Sequence, residues 1–322
     1  LNFNDDLENL KTYINEHDYF LVIGHESPDG DAIGSALALT FFLRRLGKTA
    51  IPCSSGPFTK PESVKYERFF EKNIPLLVPA QLNKAAILVD CSALSRTGYQ
   101  ALPSDFRIID HHAIVEEDAG YGYTDSSSPS TSLLVGRLIK AFGMTPTAEE
   151  AHFLLFGFCT DTGFFRHLTA EGASYIREAA DFVEAGASPQ VIYDEMQGTF
   201  NLQSRHYLGR LLEKAEPYFE GQVLVVMESQ HEREEFGGSV VRDTDTVYRL
   251  LLSVEGTDTV VILKEDERGV SGGLRSSGKV DVAAVAAAFG GGGHRKASGF
   301  LAKESLLRVR DLVLKEIKPF LI

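Results

Sequence analysis

Short apolar runs alternate with helix-period segments over the first 190 residues, and that alternation sets the expected architecture. Tyr19 to Gly24 is a continuous apolar run that predicts a buried strand. From Asp31 to Leu46 the apolar positions move to helical spacing, through Ile33, Leu37, Phe41 and Leu46, and Gly47 follows as a C-cap. Further strands are expected at 50–53, 86–89 and 106–109. Glu149 to Cys159 is apolar nearly all round, which predicts a buried helix. Another helix is expected over 173–185, ending at Gly186. Strands alternating with helices predict an α/β domain with a largely parallel sheet.

After residue 190 the pattern changes. The stretch 190–214 is helical and polar and reads as a connector. Strong strand candidates follow at Val223–Met227 and Thr259–Leu263, then a glycine-rich region, then a helix from Lys303 to about Ile317. The expected organisation is a domain over 1–190, a connector over 191–215 and a smaller α/β domain over 216–322. A chain of 322 residues exceeds what one core usually fills, in keeping with that division.

Composition narrows the partners. The formal net charge is −13, which disfavours a grip on long nucleic acid, because neutralising phosphates requires a basic surface. It leaves room for a short phosphorylated substrate in a local basic pocket, and surplus carboxylates attract divalent cations. Cys53, Cys91 and Cys159 are scattered and lack C-x-x-C spacing, which argues against a disulfide framework and for a reducing compartment. The N-terminal residues are mixed and acidic, and no run has the length of a membrane span. The expected location is therefore the cytoplasm, with no membrane partner.

Candidate chemistry lies where strands end. The first strand leads into His25, Asp29 and Asp31; a later one ends at Asp90; another ends in Asp110-His111-His112; and Asp161 follows the buried helix. Each piece alone is weak: a single Asp after a strand is more often a helix N-cap or turn residue than a ligand, and paired histidines can be surface residues. That simpler reading fails on the combination, because several carboxylates gathered together without cations are very costly to bury. Mixed imidazole and carboxylate donors suit Mn²⁺, Fe²⁺, Co²⁺ or Zn²⁺ better than Ca²⁺. With a bridging carboxylate, two ions about 3.5–4 Å apart would clamp an in-line phosphoryl displacement.

The set His25-x3-Asp29-x-Asp31, Asp90, Asp110-His111-His112 and Asp161 resembles the DHH phosphoesterase family. That resemblance implies two divalent ions, Mn²⁺ as the expected metal. His25, Asp29 and Asp90 would hold one; Asp31, Asp90, His111 and Asp161 would hold the other. It also implies that His112 contacts substrate phosphate as a proton or hydrogen-bond donor, and that Asp110 orients the histidine pair.

The second half adds Gly272-Gly273-Leu274-Arg275-Ser276, then Gly290 to Gly293 with His294, Arg295, Lys296 and Ser298. Consecutive glycines let backbone N–H groups approach an anion. The arrangement is similar to the DHH-associated C-terminal domain of small oligoribonucleases and 3′-phosphoadenosine-5′-phosphate phosphatases. It implies that Arg275, Ser276, Gly291, Gly292, Gly293, His294, Arg295 and Ser298 bind substrate, held in a cleft between the two domains. Expected substrates are short single-stranded RNA, linear dinucleotides or 3′-phosphoadenosine-5′-phosphate. Alternatives are hydrolysis of pyrophosphate or polyphosphate, or nucleotide sensing without turnover. A homodimer is compatible with all three.

Other features read more simply. Ser130-Thr131-Ser132 marks a helix N-terminus, with a metal-site contact secondary. Arg166 and His167 divide evenly between a substrate contact and a surface role. Cys91 and Cys159 read as small buried residues, and 231–235 as a solvated helical face.

Overall fold

The computed structural model describes residues 3–60, 62–74, 83–101, 103, 106–112, 121–197, 200–236 and 243–321. The chain divides into two compact units, Leu1–Thr199 and Phe200–Ile322.

The first unit carries β1 (Tyr19–Ile23), β2 (Thr49–Cys53), β3 (Lys84–Val89), β4 (Phe106–Asp110) and β5 (Tyr121–Thr124). They form one sheet in the order β2-β1-β3-β4-β5, every pair parallel. Its helices are α1 (Phe3–Glu16), α2 (Gly30–Arg45), α3 (Thr131–Ala141), α4 (Ala148–Asp161), α5 (Ala173–Glu184) and α6 (Pro189–Gln197). The strand alternation of β1 sends Phe20 and Val22 into a core with Phe42, Phe156 and Phe158, while Tyr19, Leu21 and Ile23 pack with Cys53 and Ala86 on the other face. Because the strands are parallel, the residues following β1, β3 and β4 all emerge at one edge of the sheet. That edge is where an open α/β sheet places its ligand.

The four strands expected in this unit are present, and β5 is an addition. Its sequence, Tyr-Gly-Tyr-Thr, is short and lies at the sheet edge with Tyr121 exposed, so it carries little apolar signal. The expected helices over 31–46, 149–159 and 173–185 are α2, α4 and α5. Asp29 caps α2, accepting from the backbone N–H of Asp31 and Ala32, and Thr147 with Glu150 forms a capping box on α4.

The second unit contains α7 (Leu202–Glu213), β6 (Glu216–Tyr218), β7 (Val223–Glu228), α8 (Gln230–Glu235), α9 (Thr244–Leu252), β8 (Thr259–Asp266) and β9 (Gly269–Ser276). It continues with α10 (Val282–Ala287), β10 (Gly292–His294), β11 (Ala297–Ala302) and α11 (Leu306–Ile317). The six strands run β10-β11-β9-β8-β7-β6, with β7 and β8 parallel and the other pairs antiparallel. One sheet face packs Val223, Val225, Val261 and Leu274 under α10 and α11; the other packs Val226, Val260 and Ile262 under α7 and α9.

Two parts of this half differ from the sequence reading. Gly272 and Gly273, expected in a phosphate-cradling loop, lie inside β9. A Cβ at Gly272 would fall 2.2 Å from the Phe300 ring and one at Gly273 2.3 Å from the Tyr248 hydroxyl, so these glycines make space for rings. The stretch 191–215 is divided: α6 buries Ile192 in the first core, and α7 buries Tyr207 and Leu211 in the second. Among the described residues, no helix is long and apolar enough to cross a membrane.

Candidate metal centre

The site is assembled from three strand ends and three helices of the first unit. After β1 the chain places His25, whose Nδ1 lies 2.7 Å from the carbonyl of Glu26. With the proton on Nδ1 donated there, Nε2 is free to act as a donor atom, the arrangement usual for metal-bound imidazoles. It lies 3.7 Å from Asp29 Oδ1 and 3.6 Å from Asp90 Oδ2. His111, after β4, repeats the arrangement: Nδ1 is 3.1 Å from the Ser128 carbonyl, and Nε2 is 3.1 Å from Asp161 Oδ2 and 3.5 Å from Asp90 Oδ1.

Asp90 therefore faces both histidines, one carboxylate oxygen toward each. It is held there by a left-handed backbone (φ 55°) immediately after β3, with its N–H donating to the Ile109 carbonyl at 3.0 Å. A left-handed non-glycine residue stores strain, tolerated best by asparagine and aspartate.

Asp31 is fully buried on the first turn of α2. Its partner helix α4, which ends in Asp161, approaches α2 through glycines. A Cβ at Gly34 would lie 2.5 Å from the Phe153 carbonyl oxygen, and one at Gly157 would lie 2.6 Å from Asp31 Oδ1. Those missing side chains let the two acids converge. Donor atoms fall into three groups, each with all atoms within 4.8 Å of one another: His25, Asp29 and Asp90; Asp31, His111 and Asp161; and Asp90, His111 and His112.

Electrostatics explains what this arrangement requires. Burial, reinforced by Asp161 and Asp90, pushes the Asp31 carboxyl well above the usual carboxylate range. Burial together with Asp29 and Asp161 pushes Asp90 up to about 7. Burial opposes charge on His111, yet Asp161, Asp31 and Asp90 outweigh it and raise the imidazole to about 10. His111 Nε2 and Asp110 Oδ2 are buried with no hydrogen-bond partner. A donor set of imidazole nitrogens and crowded carboxylates, with one nitrogen orphaned, fits divalent cations of the Mn²⁺ to Zn²⁺ series.

Asp110 is fully buried and does not join these donor groups. Its Oδ1 accepts from His112 N at 3.0 Å and from His112 Nδ1 at 2.8 Å, which fixes the ring. The His112 side chain is 43% exposed, leaving Nε2 available to a substrate.

In the second unit, Arg275 lies with its guanidinium 4.8 Å from the Tyr248 ring centroid and donates to its neighbour's carbonyl, Leu274 O, at 3.1 Å. His294, Arg295 and Lys296 are exposed, and Gly292 opens onto free space. Gly291 and Gly293 are glycine for a packing reason: a Cβ would lie 2.2 Å from Gly299 O and 2.6 Å from Ala297 O, respectively. Ser276 and Ser298 are buried with their hydroxyls occupied. Ser276 donates to Asp258 Oδ2 and accepts from Gly278 N, and Ser298 donates to the Val282 carbonyl.

Residues read first as a helix start, with a metal-site contact secondary, support the cluster. Thr131 N donates to Asp31 Oδ2 at 2.6 Å, Ser132 N and Oγ both donate to Asp31 Oδ1, and Thr131 Oγ1 donates to Asp90 Oδ1 at 3.1 Å. The available signal was a serine- and threonine-rich helix N-terminus, whose free N–H groups favour anions.

Two family models match the chain: the N-terminal domain of the DHH family over residues 19–158 and the DHHA1 domain over 221–321. The chain is 31% identical over 302 residues to the bifunctional oligoribonuclease and PAP phosphatase NrnA of Thermus thermophilus, covering 91% of this chain and 88% of that protein. It is 26% identical to a manganese-dependent inorganic pyrophosphatase of Methanothrix thermoacetophila, over 47% of this chain and 50% of the relative. In fold it matches an exopolyphosphatase-related protein of Bacteroides fragilis with a TM-score of 0.82 and 22% identity, over 99% of this chain and 97% of that one. With both matched segments in order, and with a relative of this identity aligned over nearly its whole length, the chain belongs to the DHH phosphoesterase family, hydrolases that act on phosphate esters.

Proposed function

We propose that this protein is a two-metal phosphodiesterase and phosphatase of very short nucleotides: oligoribonucleotides of a few residues, linear dinucleotides and 3′-phosphoadenosine-5′-phosphate. The observation that carries the reading is the Asp90 carboxylate, which offers one oxygen toward His25 and the other toward His111. A single carboxylate presented to two donor groups is the bridge that a pair of ions needs. His25, Asp29 and Asp90 would hold one ion, and Asp31, Asp90, His111 and Asp161 the other.

When bound, two such ions, Mn²⁺ by the likeness to a manganese-dependent relative, would supply Lewis-acid stabilisation of an in-line phosphoryl displacement. The chain's own residues do the rest. Asp110 fixes His112 through Nδ1, so that Nε2 donates to a phosphoryl oxygen or the departing hydroxyl. Thr131 and Ser132 hold Asp31 and Asp90 in position against mutual repulsion. Arg275, His294, Arg295 and the backbone at Gly291 to Gly293 bind the nucleotide, while Ser276 and Ser298 keep that surface in shape. The likeness to NrnA supports the short-RNA and PAP substrates. The likeness to a pyrophosphatase supports a second reading, hydrolysis of phosphoanhydrides at the same centre.

The test is release of mononucleotide from a 5′-phosphorylated RNA dinucleotide with and without Mn²⁺, with Asp161→Ala as control and pyrophosphate assayed in parallel. Metal-dependent release that the variant lacks is expected. Consumption of pyrophosphate with an untouched dinucleotide would establish the anhydride reading instead.

A further inference from the structure

The centre described above gathers four carboxylates, Asp29, Asp31, Asp90 and Asp161, whose charge two divalent ions would balance. A phosphate ester then brings further negative charge into the first unit. Among the described residues placed at the centre above, none is a permanent cation, since His112 donates at most one proton. Lys60 stands at the required place. Its Nζ lies 3.8 Å from Asp29 Oδ2, and the side chain is 50% exposed, so it reaches the rim of the His25–Asp29–Asp90 group from the solvent side.

The backbone that presents Lys60 is unusually well fixed for an exposed loop. The Lys60 carbonyl accepts from Ser63 N and Ser63 Oγ, both at 2.8 Å, and from Val64 N at 3.2 Å. Just upstream, the buried Phe58 ring packs on Phe70 with centroids 5.4 Å apart. The Gly56 carbonyl accepts from Ser27 N at 3.0 Å, and Ser55 Oγ donates to the Thr97 carbonyl at 2.8 Å. Ser27 has a left-handed backbone, φ 54°, two residues before Asp29. The loop is thus tied to the segment carrying the candidate metal donors, while the lysine side chain itself is half exposed. A structural ion pair alone would not explain this placement: an exposed lysine–carboxylate pair near 4 Å contributes little to stability.

We infer that Lys60 is a substrate-phosphate ligand of this centre, paired with Asp29 in the resting protein and transferred to a phosphate oxygen of the substrate when Asp29 binds metal. The inference rests on the phosphoesterase reading above and adds a residue to it. A flexible ammonium acts as a point charge, so it would bind phosphate without imposing one geometry. Removing it should weaken substrate and product alike while leaving the ions in place.

The experiment uses the full chain, wild type, Lys60→Met and Lys60→Arg. Three titrations are made by calorimetry and activity: Mn²⁺ alone, adenosine 5′-monophosphate onto the Mn²⁺-loaded protein, and turnover of a 5′-phosphorylated RNA dinucleotide. Lys60→Met should bind Mn²⁺ as tightly as wild type, or tighter. It should bind the monophosphate about 10–100-fold more weakly, in line with loss of a charged hydrogen bond. Lys60→Arg should recover most of that loss. Wild-type monophosphate affinity in Lys60→Met overturns the proposal, whatever the substrate proves to be. So does a parallel fall in Mn²⁺ affinity, which would make Lys60 a support for Asp29. Failure of the wild type to cleave the dinucleotide would instead count against the substrate reading, with the monophosphate titration still deciding the role of Lys60.

Discussion

At the residue scale, the donor set was legible because strand ends and acids coincide in the sequence, whereas its support was not. Ser130, Thr131 and Ser132 read as helix-capping chemistry, and Ser130 does cap α3 by accepting from Leu133 N. The two residues after it point their donors at Asp31 and Asp90, a use that becomes visible only once the first turn of α3 is seen beside α2. Burial with Asp161 and Asp90 raises the Asp31 carboxyl well above the usual range even with the Ser132 donor in place, so that donor eases the crowding and cations are needed to keep the group ionised. Ser132→Ala removes the hydroxyl while leaving the Ser132 N–H bond. Its expected effect is a fall in Mn²⁺ affinity of about 10–100-fold, the range for groups that orient metal ligands. Calorimetric Mn²⁺ titration checks it, and an unchanged affinity would mean the backbone N–H groups of α3 suffice. Ser276 and Ser298 present a contrasting case. Hydroxyls inside a glycine-rich basic segment look like ligand contacts, yet both are consumed by the fold.

At the element scale, period and run length identified the main strands and helices, and glycine was the ambiguous symbol. Glycine can signal a left-handed turn, a close approach or an open loop, and a sequence does not say which. In β9 it meant room for Phe300 and Tyr248; between α2 and α4 it meant a close crossing. Gly34→Ala tests the second case. The new methyl would meet backbone atoms, the Phe153 carbonyl oxygen at 2.5 Å and Gly157 N at 2.9 Å, so relief requires the helices to separate. Overpacking of this kind costs about 1–3 kcal/mol, read as a lower denaturation midpoint. Because the same crossing sets the Asp31–Asp161 approach, activity should drop by about 10²-fold, the effect of misplacing a reacting group by about 1 Å. Normal activity with lowered stability would show that the centre tolerates the shift. A different tie holds α6: Glu195 receives Tyr66 Oη at 2.7 Å and lies 2.9 Å from Lys65 Nζ and 3.3 Å from His152 Nε2. Burial alone would raise this carboxyl, but those partners hold it at about 2. A depressed carboxyl stabilises the fold above its unfolded value, about 4.5, and that contribution is lost as pH falls toward 2. Glu195→Gln should therefore lower stability at neutral pH and flatten the acid limb between those values, as followed by urea unfolding across pH.

At the scale of the whole molecule, the two units have separate cores, and among the described residues the crowded carboxylates all lie in the first. Metal and pH should therefore act on one unit and spare the other. Without cations, Asp90 is raised to about 7 from 3.8, and a group raised in the folded state stabilises fully below its unfolded value. Its contribution is lost as pH climbs through about 7. His111, raised to about 10 from 6.5, has the same sign over a higher window. The apo first unit should thus weaken steadily as pH rises from about 4 toward 9. Divalent ions require those same groups deprotonated, so their stabilising effect runs the other way and grows with pH. Hydrogen exchange read by mass spectrometry at mildly acidic and mildly alkaline pH separates the terms. Added Mn²⁺ should protect peptides spanning 19–161 much more at the alkaline pH, and leave those spanning 223–302 unchanged at both. Protection that is equal at the two pH values would mean that the ions bind outside the Asp90–His111 group. Protection spread over both spans would mean that the second unit senses the metal through contacts of its own, and the Ser132→Ala variant would then tell the two origins apart, because only binding at Asp31 depends on that hydroxyl.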